Sequence, residues 1–354
     1  MPRSRSRRSS AGVLALLVAA ALVAGCASSP SASSVPASGA SASATAQRTT
    51  YPLTITQPDG TQAIIPKAPT RIVTVNNPSY AVEYLVALGV EPIGGEIYPA
   101  GSSGLEYDSR GVPAVVSSQV TAFTSVGTAP NQPDLEAIVA LTPDLIVGGN
   151  GKTAYDTPLQ AIAPLVSIYP ESPPGPGIQS QNWYPEMALL AKILDRQAEF
   201  DAFLAQFEAA AAAARPALTG KTVRLVSAQG ENLYIPGPGY FPSPVLTYLG
   251  LIVPPAPDGG SFLSGSDTTN GIVKLSLERA SELTGDYLMF ESTVGGAAAQ
   301  QAFLSNPVTQ QLPSVKAGRV IVSGPGTPLG NINGGPLDIL AGIPNYPKAF
   351  EAGR

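Results

Sequence analysis

Past residue 50 the chain alternates short β-rich runs with stretches of helical spacing. Leu53–Thr56 and residues 63–65 flank Gln57-Pro58-Asp59-Gly60, a turn signal, and predict a hairpin. Residues 71–75 form an apolar strand, followed by a helical pattern through Tyr84, Leu85 and Leu88 that stops at Gly89. Residues 144–149 and 165–169 read as further strands, each with a helical segment before it. Such alternation predicts a parallel sheet covered on both faces.

Residues 182–215 break the rhythm. Trp183–Leu194 predicts one helix, and Asp195 is placed to cap a second running to Arg215, just before Pro216. Phe200, Phe203, Leu204 and Phe207 give that second helix a single apolar stripe. A helix of about 20 residues spans about 30 Å, enough to cross between two lobes. Strands resume near 222–228, 286–290 and 319–322. The expected fold is α/β, two Rossmann-like lobes joined by one long helix. Its parts are 51–180, a connecting segment 181–216, and 217–354.

The N-terminus places this domain outside the cytoplasm. Arg3, Arg5, Arg7 and Arg8 precede an apolar stretch from Ala11 to Ala24, too short for a comfortable membrane span and shaped like a secretory signal over residues 1–25. Its end, Leu22-Val23-Ala24-Gly25-Cys26, resembles a bacterial lipobox, which makes Cys26 the lipid-bearing residue. Residues 26–50 are then a tether, almost entirely Ser, Ala, Pro, Thr and Gly. Cys26 is the only cysteine, so no internal disulfide is expected.

Removing residues 1–25 leaves 16 basic against 25 acidic residues, a net charge of −9. With no basic run, nucleic acid is excluded as a partner. The chain has no histidine, which removes Ser-His-Asp and Cys-His catalysis, His-ligated haem and the usual imidazole sites for bare metals. Nucleophile-elbow and phosphate-loop motifs are absent as well. Paired-carboxylate glycoside chemistry would need Glu136 and Glu278, on separate lobes, to converge within about 10 Å. The reading is therefore not an enzyme, and a monomer, since no coiled-coil seam or large apolar face stands out.

One internal match links the halves. At a constant offset, Leu135, Glu136, Leu141, Thr142 and Asp144 recur as Leu277, Glu278, Leu283, Thr284 and Asp286. Each copy opens on an N-cap type, Asp134 or Ser276, and ends in a predicted strand. A first-turn glutamate suits the helix dipole. Two at equivalent points also suit docking onto a two-fold partner with basic pockets.

The order of four motifs carries a resemblance. They are Ile65-Pro66-Lys67-Ala68-Pro69-Thr70-Arg71-Ile72-Val73, Asp134-Leu135-Glu136 with Leu141-Thr142-Pro143-Asp144, Ile162-Ala163-Pro164, and Asn306-Pro307 through Leu312-Pro313 to Gly318-Arg319-Val320. Over roughly residues 51–350 the chain resembles bacterial binding proteins of ATP-driven importers for iron–siderophore complexes and vitamin B12. The resemblance implies a ligand cleft between the lobes. It also implies docking of Glu136 and Glu278 onto permease arginines, and ferric iron held only as its siderophore complex, with no cofactor. Several relatives carry an arginine in the loop before the Asp-Leu-Glu motif, whereas residues 126–133 here contain no basic residue. That favours a neutral or weakly charged ligand, a ferric hydroxamate or a corrinoid such as cobalamin, over a catecholate.

Loop positions nominate Tyr80, Tyr98, Lys152, Trp183, Tyr184, Tyr240, Phe241 and Asn333 as ligand contacts, while Arg71 reads as structural. A sensor or adhesion lipoprotein on the same fold is the alternative from another class.

Overall fold

The computed structural model describes residues 48–57, 60–76, 78–97, 106–129, 131–148, 154–168, 176–264, 267–291, 296–324, 326–332 and 334–351. β1 (Leu53–Thr56) and β2 (Gln62–Ile65) form the expected antiparallel hairpin, with Leu53 opposite Ile65. The first lobe follows as β3 (Ile72–Val75), α1 (Pro78–Ala87), β4 (Gly94–Gly95), β5 (Thr124–Ser125), α2 (Leu135–Leu141), β6 (Leu145–Gly148), α3 (Asp156–Ile162) and β7 (Leu165–Ser167). Its strands are all parallel in the order β5-β4-β3-β6-β7. β3 and β6 are buried throughout, as apolar runs covered on both faces must be. Gly95 is needed for close approach: a Cβ there would stand 2.2 Å from Thr74 Oγ1.

α4 (Trp183–Leu194) and α5 (Gln197–Leu218) are the two connecting helices. Asp195 closes the first instead of capping the second. It adopts a left-handed conformation, φ 55, and its N–H donates back to the carbonyls of Ala191 and Lys192. Its carboxylate accepts the N–H of Thr49 at 2.6 Å. α5 runs through Pro216 to Leu218, because a proline in the last turn removes one rung without stopping the helix. Phe200, Phe203, Phe207, Ala211, Ala214 and Leu218 are its buried stripe.

The second lobe comprises β8 (Val223–Gln229), β9 (Asn232–Pro236), α6 (Ser243–Tyr248), β10 (Ser261–Ser264), β11 (Ile272–Ser276), β12 (Tyr287–Glu291), α7 (Gly296–Ser305), α8 (Pro313–Lys316), β13 (Val320–Ser323), α9 (Pro336–Gly342) and α10 (Tyr346–Ala349). Its sheet is mixed, in the order β10-β11-β9-β8-β12-β13. β8, β12 and β13 are parallel, whereas β8, β9, β11 and β10 pair antiparallel. The parallel arrangement expected from the alternation holds in the first lobe, and the second lobe adds an antiparallel half. Gly230 at φ 58, followed by Glu231, turns the chain straight back where a parallel neighbour would have needed a helical crossover.

One hydrophobic core passes through both lobes. Leu145 and Val147 of the first sheet, the α5 phenylalanines, and Leu225 and Met289 of the second belong to a single buried cluster.

Candidate functional site

A cavity of about 440 Å³ lies between the lobes. Glu83 of α1 with Glu106, Pro113, Ala114 and Val115 line it from the first lobe. Gly326, Thr327, Pro328, Gly330 and Asn331, on the loop after β13, and Asp338 of α9 line it from the second. It therefore opens beyond the carboxyl ends of β4 and β13, where open α/β sheets receive ligands.

Three carboxylates and no lysine or arginine stand in this lining among the described residues. Burial, and then the Asp338 charge, push the Glu83 carboxyl up to about 8. Asp338 is raised to about 6 by burial, with Glu106 adding to it. Next to the cavity, Glu186 of α4 is raised to about 7 by burial, although it accepts the Tyr84 hydroxyl at 2.6 Å. For Glu83, Glu186 and Asp338 the main cause is burial, which disfavours the charged form.

A separate polar surface lies on one face of the second lobe's sheet. Ser227, Tyr234, Lys274 and Ser261 stand opposite one another across β8, β9, β11 and β10, so their side chains share one face. Val223 and Leu225, four and two residues before Ser227, point that way into the core shared by both lobes. Leu233, Ile235, Val273 and Leu275 point to the other face, into a core of the second lobe alone. Tyr234 and Lys274 remain half-exposed, and Lys274 makes no ion pair among the described residues. Alternation in β9 and β11 carried this signal, but neither run was read as a strand from sequence.

The nominated residues fare differently. Tyr80 lies at the seam: burial first, then the charges of Glu83, Glu186 and Glu291 and the neighbouring Tyr107, raise its hydroxyl pKa. Tyr240 and Phe241 are half-buried on the loop between β9 and α6, and α6 is tied to the segment before α4 by Gln181 Nε2 donating to the Pro244 carbonyl at 3.1 Å. Trp183 is 3 % exposed and packs against Phe203 and Phe207 with ring centroids 5.4 and 5.1 Å away, which leaves it no ligand-facing surface. Tyr184 packs on Phe200 at 5.4 Å and also serves the helix pair. Trp183 is enclosed by the α5 stripe, whereas Tyr184 stays half-buried. Tyr98, Lys152, Asn333 and Cys26 lie outside the described residues.

Glu136 and Glu278 are both exposed. Each stands just past a strand's carboxyl end, β5 for one and β11 for the other, and β11 runs parallel to β8. Asp134 caps α2 as expected, accepting the N–H groups of Glu136 and Ala137 at 3.0 Å each. Ser276 makes no cap bond, and residues 277–282 form a 3₁₀ turn where an α-helix was expected.

Sequence reasoning missed Glu83, the only charge in the run Ala81-Val82-Glu83-Tyr84-Leu85 and 1 % exposed. A lone carboxylate inside an apolar helical stretch was the available clue.

Residues 82–326, well over half of the chain, match the model of the periplasmic binding protein family, and the chain belongs to that family. A Bacillus subtilis protein named "probable siderophore-binding lipoprotein YfiY" is 30 % identical over 200 residues, 54 % of this chain and 54 % of that protein. The match thus spans about half of that relative's length. Staphylococcus aureus SirA, solved with staphyloferrin B, superposes with a TM-score of 0.62 at 20 % identity, covering 84 % of this chain and 98 % of that one. FhuD of Vibrio cholerae, solved with Fe³⁺–Desferal, gives 0.56 at 22 % identity, covering 80 % and 98 %. Both likenesses establish the two-lobed fold.

Proposed function

We propose that the protein is the lipid-anchored solute-binding component of an ATP-driven importer, capturing a ferric siderophore of uncharged, hydroxamate-like character and delivering it to a membrane permease. Iron is cargo here, carried inside its chelate, and no catalytic step is assigned. The observation that carries the ligand class is the inter-lobe cavity. Its size suits a chelate, since small-molecule sites run to about 300–1,000 Å³. Its described lining offers carboxylates and no cation, which disfavours a strongly anionic catecholate. The relatives support siderophores as a class, and Cys26 with its tether supports a membrane-held protein on the extracytoplasmic side.

Quenching of intrinsic fluorescence in the mature chain tests this against ferric hydroxamates, ferric catecholates, haem and cobalamin. Saturable quenching by a ferric hydroxamate alone is the expected result. Preference for a catecholate would overturn the charge argument, and no response to any of the four would favour a lipoprotein that senses or adheres.

A further inference from the structure

The first turn of α9 has no cap of its own. Gly335 occupies the N-cap position without a side chain, and Pro336 follows with no N–H. The donors that remain are taken by one side chain from the other lobe. Glu83 Oε1 accepts the Gly335 N–H at 3.1 Å, and Oε2 accepts those of Leu337 and Asp338 at 3.1 and 3.2 Å. These partners are 252, 254 and 255 residues away in sequence. The seat is close-fitting: a Cβ on residue 335 would stand 2.4 Å from Glu83 Oε2. Only a glycine admits the carboxylate there.

The grip extends past the helix. Asp338 Oδ2 accepts the Asn331 N–H at 3.3 Å, and the Gly330 carbonyl accepts the Gly324 N–H at 3.0 Å. Gly326, Thr327, Gly330 and Asn331 are themselves cavity wall. A chain of contacts therefore runs from α1 through α9 to the loop that faces the ligand space. Burial first, and then the Asp338 charge, disfavour a carboxylate in this place. The backbone donors are what make the position tenable.

We infer that Glu83 is the positioning residue of the binding cleft: by capping α9 across the lobe boundary it fixes the second-lobe wall of the cavity, residues 326–332 and 334–338, to α1 of the first lobe. Its bearing on ligand affinity rests on the function proposed above; its bearing on the wall does not.

Hydrogen exchange on the whole chain, read by mass spectrometry in Glu83→Ala, Glu83→Gln and Gly335→Ala, tests the clamp. Exchange across the wall segment is expected to rise about tenfold or more in Glu83→Ala and Gly335→Ala, with β12 unchanged. Glu83→Gln keeps the size but offers one acceptor oxygen in place of two, and should fall between. A rise confined to Gly335, Leu337 and Asp338, or no rise in either Glu83 variant, would overturn the clamp. Titration with ferric desferrioxamine is the second arm, with affinity for Glu83→Ala expected to drop about tenfold through faster release. Faster wall exchange with unchanged affinity would refute the positioning role. If the unaltered protein does not bind this probe, the ligand assignment fails while the exchange arm still decides the clamp.

Discussion

Arg71 and Arg224 make the same bond in the two lobes: Arg71 Nε donates to the Thr142 carbonyl at 3.1 Å, and Arg224 Nε to that of Thr284 at 3.3 Å. Thr142 and Thr284 are matching positions of the internal repeat. The repeat's aspartates act in parallel, Asp144 accepting the Arg71 N–H at 2.7 Å and Asp286 the Thr222 N–H at 3.3 Å. Each lobe thus ties the start of its first long strand to the end of its repeat unit.

The two arginines differ in burial, and that difference is measurable. Arg224 is 2 % exposed and also donates to the carbonyls of Pro254 and Pro255, while burial draws its pKa down to about 10. Replacing it with methionine leaves three carbonyls short of a donor and should cost about 2–4 kcal/mol in urea denaturation. The same change at exposed Arg71 should cost about 1 kcal/mol or less. Equal losses would contradict this ranking.

The repeat's two openings should respond unequally to alanine. Asp134→Ala removes a real cap and is expected to cost about 1 kcal/mol. Ser276→Ala removes no bond and should stay within about 0.5 kcal/mol of the parent. Denaturation midpoints at constant slope give the comparison.

Stability should fall as pH rises. Glu83, Glu186 and Asp338 titrate at about 8, 7 and 6 in the folded protein, above the unfolded values near 4. Between those limits the folded chain binds more protons than the unfolded chain, so each pH step upward favours unfolding. Melting temperature is expected to drop by about 5 °C or more from about pH 5 to about pH 8. Glu186→Gln, which cannot ionise yet still accepts from Tyr84, should flatten the part of that slope around 7. A melting temperature that climbs over this range would show the carboxylates to be held ionised.

Docking separates from capture in a double variant. Glu136→Ala with Glu278→Ala should lower cellular uptake of iron chelate about tenfold or more while leaving ligand affinity unchanged. Unaltered uptake would remove both glutamates from the permease contact. A sedimentation coefficient independent of concentration is expected beside it, as for a monomer.

Much of the first lobe and the connecting helices was legible because their signals are local, while the two-residue strands β4 and β5 were too short to leave a pattern. Four-residue apolar runs gave β3 and β6, and the phenylalanine spacing gave α5. β9 and β11 were not read, since five-residue stretches such as Asn-Leu-Tyr-Ile-Pro mix polar and apolar residues without reaching the length at which alternation stands out. The short Gly230-Glu231 turn was their visible marker. Glu83 was hidden for a different reason: the donors that justify burying it come from the far end of the chain, which no local pattern records. Trp183 misled because an aromatic at a helix start looks the same whether it greets a ligand or fills a core.

The buried cluster that threads from Leu145 through Phe207 to Met289 gives both lobes a single keel. Neither half can be exchanged, duplicated or trimmed away without stripping the other of its inner lining. Novelty in what this protein carries is thereby channelled into the rim loops, while the hull is inherited whole.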